Sequence, residues 1–178
     1  MTARSAFSRL RVAVAVLAAT TAFSLPALAE WEVFKGANVK FHVPDAWDTK
    51  ASGDVVVTRP AASDKKENEV FIEFIAIDEG PAEVKKVEMH LMKVLEKKFD
   101  HVKIKQKGKK ITQHGPNGFV FGGTAKDKDG NDINWMSAVL HTGKDTGVAV
   151  LAAGTPVAFK KHKTGVAKTL DSIQALRD

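Results

Sequence analysis

Polar and apolar residues alternate in several short stretches of the chain, which is the pattern of β-strands with one buried face. Val39, Phe41 and Val43 fall on one face of such a strand, and the turn residues Pro44-Asp45 follow before Trp47. Similar short apolar stretches between turn residues predict four further strands, over residues 54–59, 119–125, 133–141 and 147–153.

A longer apolar run, from Val70 to Ile77, is interrupted only by Glu73 and predicts a central strand covered on both faces. Glu73 is interpreted as a structural acid, at a sheet edge or paired with a lysine, although a role as a general acid is the functional alternative. Residues 101–106 and 109–113 are predicted to form two strands joined across Lys107-Gly108.

Two amphipathic helices are predicted from apolar residues that recur at spacings of three and four. The first begins at Gly80-Pro81, because proline suits the first helical position. The second begins at Thr155-Pro156, and Gly165 weakens it near its middle. The stripe of the first helix is Val84, Val87, Leu91, Leu95 and Phe99. The stripe of the second is Phe159, His162, Val166, Leu170, Ile173 and Leu176.

The order of these elements is strands, helix, antiparallel strands, helix. It predicts an α+β fold in which an antiparallel β-meander packs against two amphipathic helices, an α/β/α-type sandwich. Turns are predicted at residues 115–118 and 127–132. No internal repeat interrupts the pattern, and residues 30–178 are predicted to be a single domain.

Residues 1–29 have the composition of a secretory signal peptide. Three arginines precede the apolar tract Val12 to Ala19, and Ala27-Leu28-Ala29 supplies a small-residue cleavage site. A membrane-spanning helix needs roughly 20 apolar residues, about twice the length of this tract, so a cleaved signal is favoured over an anchor. The mature protein is predicted to begin near Glu30, without a transmembrane segment, and to be periplasmic or secreted.

Composition narrows the chemistry of the mature chain. Cysteine is absent, which excludes thiol catalysis, thiolate metal sites and iron–sulfur clusters. The net charge of +6 falls to +3 when residues 1–29 are removed, because they hold three arginines and no acid. Only Arg59 and Arg177 are arginines beyond that point, whereas nucleic-acid recognition relies on the bidentate guanidinium group. We therefore expect no nucleic-acid partner.

The stretch Val39-Lys40-Phe41-His42-Val43-Pro44-Asp45-Ala46-Trp47 resembles a motif of the PsbP-like fold, an extended strand closing in a proline, a turn and a tryptophan. The turns at 115–118 and 129–130 and a last helix ending in Leu170-Asp171-Ser172-Ile173 add to the resemblance, which covers residues 31–176. The family includes the extrinsic photosystem II protein, a yeast Ran-binding import factor and DcrB-like periplasmic proteins. It implies the same fold and an accessory or scaffolding role, but no functional residue, because these motifs are structural.

No catalytic or cofactor signature is recognisable. Residues 127–132 carry oxygen ligands suited to a cation, but their spacing departs from the helix–loop–helix calcium loop, and a structural hairpin turn is the favoured interpretation. The candidate ligands are Asp127, Asp129, Asn131 and Asp132.

The six histidines do not have the spacing of metal ligands, and Ser137 does not lie in a glycine-flanked nucleophile elbow. These histidines are His42, His90, His101, His114, His141 and His162. We therefore expect no enzyme activity, no catalytic residue, no metal and no cofactor.

A run of lysines is the sharpest surface feature. It comprises Lys97, Lys98, Lys103, Lys105, Lys107, Lys109 and Lys110, opposed only by Asp100. If 101–107 is one strand, alternation places His101, Lys103, Lys105 and Lys107 on one face. The run is either a docking patch for an anionic partner or a guard of an edge strand against aggregation. The candidate docking residues are Lys103, Lys105, Lys107, Lys109 and Lys110.

The predicted function is that of an exported, non-enzymatic accessory or binding protein of the bacterial cell envelope, which docks to a protein or to an anionic envelope component. The alternative is a small-ligand-binding envelope stress protein, holding an apolar or anionic molecule between sheet and helix. A hydrolase with an unfamiliar site is a third possibility, for which no nucleophile, base or metal set can be assembled.

Overall fold

Two antiparallel β-sheets and three helices make up the described part of the chain. The computed structural model describes residues 31–61, 69–77, 84–111, 116–143 and 146–176. The strands are β1 (Trp31–Phe34), β2 (Val39–His42), β3 (Trp47–Ser52), β4 (Val55–Pro60), β5 (Val70–Ile77), β6 (Asp100–Ile111), β7 (Gly118–Lys126), β8 (Asp132–His141), β9 (Gly147–Gly154) and β10 (Gln174–Ala175). The helices are α1 (Val84–Lys98), α2 (Pro156–Lys161) and α3 (Lys163–Asp171), and a 3-10 turn spans Lys35–Ala37. The predicted signal segment, residues 1–29, lies outside the described residues.

The larger sheet has seven strands in the order β3-β4-β5-β9-β8-β7-β6, and all its pairings are antiparallel. Strand β5 lies between β4 and β9, which confirms the predicted central strand. The chain crosses from β5 to the far edge through α1, and then returns strand by strand from β6 to β9. The smaller sheet has the order β1-β2-β10.

Both faces of the large sheet are covered, and each cover encloses its own core. Helix α1 packs on one face, where Leu91 and Leu95 meet Trp135. Helices α2 and α3 and the small sheet pack on the other face, where Phe41 of β2 stacks on Phe74 of β5 with ring centroids 3.8 Å apart. This arrangement confirms the predicted α+β sandwich of an antiparallel sheet between amphipathic helices.

Glu73 connects the central strand to α1. Its side chain is 9 % exposed, and both carboxylate oxygens lie 2.9 Å from Nζ of Lys98 in the last turn of α1. The predicted pairing with a lysine is thus observed, although β5 is an interior strand and not a sheet edge. The ion pair ties the end of α1 to the middle of the sheet.

The C-terminal helix is broken, contrary to the prediction of one helix weakened at Gly165. The predicted start is correct, because Thr155 Oγ1 accepts a hydrogen bond from Ala158 N at 3.2 Å. The break falls at His162, which ends α2 and begins α3 with φ −100° and ψ 9°. Gly165 has a different role: a Cβ there would lie 3.3 Å from Pro44 Cγ, so its small size lets α3 approach the turn before β3.

Three strands were not predicted, and one predicted hairpin is wrong. β1 and β10 are short, and β3 is an exposed edge strand without an apolar face. The two strands expected across Lys107-Gly108 are one twelve-residue strand, β6, whose pairing with β7 shifts at irregularities and so accommodates the glycine. Residues 112–115, which include Gly115 at the start of the predicted turn before β7, lie outside the described residues.

Candidate functional site

Strand β6 carries the five lysines predicted as a docking patch, and it is the last strand of the large sheet. All five side chains are exposed: Lys103, Lys105, Lys107, Lys109 and Lys110. The only acid in the strand, Asp100, lies 2.6 Å from Nζ of Lys128 and is therefore neutralised by another cation. The edge of the sheet is consequently strongly basic. We refer to these five lysines as the basic edge.

The lysines do not form the single-face row predicted from strict alternation. Register shifts interrupt the pairing of β6 with β7 between Asp100 and Lys103, between Ile104 and Gln106, and between Gln106 and Lys109. Each shift places an extra residue in β6, which is the geometry of a β-bulge and breaks the alternation of side chains. The basic edge therefore includes lysines on both faces of the sheet.

The register identifies those faces, because directly opposed residues in antiparallel strands share one face. Lys103 is opposite Thr124 and Lys109 is opposite Val120, on the face covered by α2 and α3. Lys110 is opposite Phe119 on the face covered by α1.

Glycine in β7 allows the bulged strand to approach closely. A Cβ at Gly123 would overlap the carbonyl oxygen of Lys103 and would lie 2.7 Å from Cζ2 of Trp135. At the neighbouring Gly122 the nearest atom to an added Cβ is 3.6 Å away, an ordinary contact distance. Gly123 is therefore the residue that lets β6 pass over the Trp135 ring.

An apolar cleft of about 500 Å³ lies between the large sheet and the helices α2 and α3. Apolar side chains of the helices, among them Phe159, Val166 and Leu170, form its roof. Three charged and exposed residues, Lys160, Lys163 and Asp171, also line it, so the cleft is open to solvent at its rim. Its floor consists of side chains from β6, β7 and β8: Ile111, Val120, Asn134, Met136, Ala138 and Leu140.

The aspartate-rich segment forms a hairpin turn. Asp127 Oδ1 accepts hydrogen bonds from the backbone N–H groups of Asp129 at 2.9 Å and Asn131 at 2.8 Å, and Asn131 Nδ2 donates to Asp127 Oδ2 at 2.8 Å. Asp132 pairs with Lys126 at 2.9 Å. These contacts support the structural interpretation of the turn, in which Asp127 orients the backbone.

The described histidines are dispersed over the fold. His42 packs on the Trp31 ring at 3.8 Å, His162 lies edge-on to Trp47 at 5.8 Å, and His114 is outside the described residues. Burial, followed by the charge of Lys161, lowers the pKa of His162 below its ordinary value. Within the described ranges, no three acidic or histidine side chains are grouped as metal ligands would be.

Ser137 is 1 % exposed in β8, where a substrate has no access to its hydroxyl. Among the described residues, no helix has the length and hydropathy needed to cross a bilayer.

No protein-family model matches the sequence, and neither does any curated protein. Solved structures do match. The chain is similar to cyanobacterial PsbP from Synechocystis sp. PCC 6803, with a TM-score of 0.61 and 11 % identity over 89 % of this chain and 98 % of that one. It is also similar to LpqN of Mycobacterium tuberculosis, described as involved in cell envelope biogenesis, with a TM-score of 0.55 and 14 % identity over 76 % and 82 % of the two chains.

A third similar structure is a Pseudomonas aeruginosa protein of unknown function, with a TM-score of 0.52 and 15 % identity over 80 % of this chain and 93 % of that one. At these identities the similarity concerns the fold and not the activity. The seven-stranded sheet between α1 and the α2–α3 pair, together with these neighbours, shows that the chain has the PsbP-like fold.

Proposed function

We propose that the protein is an exported, non-enzymatic accessory protein of the bacterial cell envelope, which docks on anionic phospholipid headgroups through the basic edge. The observation that carries the proposal is the exposure of all five lysines along β6, with the one acid of the strand paired to Lys128.

The composition of the edge favours a membrane surface over a protein partner. Protein interfaces are enriched in aromatic residues and arginine and depleted in lysine, whereas β6 contains five lysines and neither aromatic residues nor arginine. A flexible ammonium group binds as a point charge and needs no fixed partner geometry. Several such groups beside an anionic membrane contribute about 1 kcal/mol each.

Two further observations support an envelope role. The pattern of residues 1–29 favours export, and the similar protein LpqN is described as involved in cell envelope biogenesis. The absence of a recognisable catalytic motif in the sequence favours binding over catalysis.

The competing interpretation is that the lysines only prevent edge-to-edge aggregation of β6. The two interpretations differ in one consequence. A guard needs charge of either sign, since glutamates also discourage strand pairing, whereas docking on anionic headgroups needs positive charge.

The test is sedimentation of the purified protein with vesicles of phosphatidylcholine, with and without phosphatidylglycerol. We expect binding only to the anionic vesicles and its loss at high salt. The variant K103E/K105E/K107E should bind at least about a hundredfold more weakly, since three headgroup contacts of about 1 kcal/mol are replaced by repulsion.

The matched control is K50E/K161E/K168E, which changes the net charge equally at exposed lysines away from β6. Equal loss of binding in both variants would reduce the effect to net charge and contradict docking through the basic edge. A K103E/K105E/K107E variant that stays monomeric and still binds would also contradict it.

A further inference from the structure

The cleft under α2 and α3 has the dimensions and lining of a ligand site. Its volume of about 500 Å³ falls within the range of about 300–1,000 Å³ that small-molecule sites occupy. Phe159, Val166 and Leu170 form an apolar roof over a floor that is apolar except at Asn134. Such a surface favours a hydrocarbon ligand.

The two ends of the cleft differ in charge. Gly154 of β9 is opposite Asn134 of β8, so the chain enters α2 near the Asn134 end of the floor. Lys160 and Lys163, at the junction of α2 and α3, line the cleft together with Asn134.

The acid, Asp171, is at the other end of α3, about 12 Å from Lys163 at a rise of about 1.5 Å per residue. The next residue, Ser172, accepts a hydrogen bond through Oγ from His42 N, beside Phe41, whose ring stacks on Phe74. Phe74 is opposite Val150, and Val150 is opposite Ala138, so this contact lies nearer to Leu140 than to Asn134 along the floor. The cleft is therefore basic at the Asn134 end, and its acid lies toward the Leu140 end.

The floor is long enough for one extended acyl chain. Asn134 and Leu140 are six residues apart along β8, which corresponds to about 20 Å at about 3.4 Å per residue. The acyl chains of a membrane lipid span one leaflet of the hydrocarbon core, which is about 15 Å thick, half of the usual 30 Å. The floor is therefore longer than such a chain.

We infer that the cleft binds one single-chain anionic amphiphile of the fatty-acid class, with its carboxylate between Lys160, Lys163 and Asn134 and its hydrocarbon chain along the floor toward Leu140. The lysines attract the carboxylate, the Asn134 amide donates a hydrogen bond to it, and Asp171 is separated from Lys163 by the length of α3. A cationic amphiphile would find its favourable charge only at the Asp171 end.

The experiment titrates purified, delipidated protein with decanoate, laurate and myristate, below their micellar concentrations, by isothermal calorimetry. We expect one site per chain and an affinity that rises about threefold to fourfold for each added methylene, as for burial in an apolar site. Dodecanol, which has the same chain without the charge, should bind laurate's site at least about tenfold more weakly, in line with a charged hydrogen-bonded pair.

Two pairs of variants locate the site. K160E/K163E should weaken laurate at least about tenfold, whereas K161E/K168E, which makes the same charge change at exposed lysines of α2 and α3 outside the lining, should leave it within about twofold. A167F, which adds a ring at an exposed residue of the lining, should weaken binding. T164F, on an exposed position of α3 outside the lining, should not.

Laurate that fails to bind the folded protein, or that binds equally to A167F, would overturn the assignment of the cleft. Dodecanol binding as tightly as laurate, with no effect of K160E/K163E, would overturn the anionic class of the ligand. The inference is independent of the proposed docking: K103E/K105E/K107E should bind laurate normally, and A167F should still sediment with anionic vesicles.

Discussion

Gly123 is the single residue on which the pairing of the basic edge depends most directly. We expect G123A to destabilise the protein by more than the 1–3 kcal/mol, roughly, that overpacking usually costs, because the new Cβ would meet the Lys103 carbonyl and the rigid Trp135 ring. Urea denaturation followed by Trp fluorescence measures the free energy of unfolding.

The neighbouring variant G122A is the control, since its Cβ would be 3.6 Å from the nearest atom. It should cost less than about 1 kcal/mol, as an unstrained strand alanine does. Similar losses in G122A and G123A would show that the close approach at Gly123 is not what limits the strand.

His162 gives the stability a pH dependence of known sign. Its pKa is lowered in the folded protein by burial and by Lys161, whereas the unfolded chain titrates near the ordinary value of 6.5. Between these two pKa values the unfolded chain binds more protons than the folded one, so the free energy of unfolding falls as the pH drops below 6.5. Well above pH 6.5 both states are neutral at this residue, and its contribution is constant.

The measurement compares the wild type with H162N in thermal unfolding scans over this pH range. We expect the wild type to lose stability more steeply than H162N below pH 6.5, since only the wild type has the lowered pKa. The difference should shrink in a K161Q background, which removes the smaller of the two causes. Parallel pH curves for the wild type and H162N would show that His162 does not contribute.

At the scale of elements, the pair between Glu73 and Lys98 fixes α1 against β5. We expect K98M to destabilise the protein by about 1–3 kcal/mol, since it leaves the carboxylate of Glu73, whose side chain is 9 % exposed, without its partner. The double variant E73M/K98M should recover most of this loss, because replacing both members of a buried pair by apolar groups is often neutral. Chemical denaturation of the four proteins of this double-mutant cycle tests it.

A matched control is K97M, one residue earlier on an exposed position of α1. It should change the free energy of unfolding by less than about 0.5 kcal/mol, as surface substitutions usually do. If E73M/K98M were as unstable as K98M, the unpaired carboxylate could not be the cause.

Helices and strands in which apolar residues recur at regular spacing were predictable from the sequence. Strands that depend on pairing with their neighbours in the sheet were not. The stripe Val87, Leu91 and Leu95 identified α1, and the run from Val70 to Ile77 identified the central strand. Strand β3 has no buried face, so it leaves no alternation to detect. The sequence predicts two strands in place of β6 because Gly108 is typical of a turn. In the structure, bulges keep β6 paired with β7 as one strand.

At the scale of the whole molecule, the sequence could locate the lysines but not the cleft. The lysines are close together in the chain, and their exposure follows from their charge. The cleft combines residues from Ile111 to Ile173, and its volume depends on how far two helices stand from three strands. The sequence shows the alternation that places Asn134, Met136, Ala138 and Leu140 on one face of β8. It does not show that helices α2 and α3 leave an open space over that face.

The small sheet β1-β2-β10 has a consequence for the order of events during synthesis. Its last strand comes from residues 174–175, and the hydrogen bond from His42 N to Ser172 Oγ spans 130 positions of the chain. This layer cannot close until residues 174–175 have been synthesised, and contacts of such separation form late and slowly. Until then, strand β2 pairs with β1 alone in the small sheet that the structure describes.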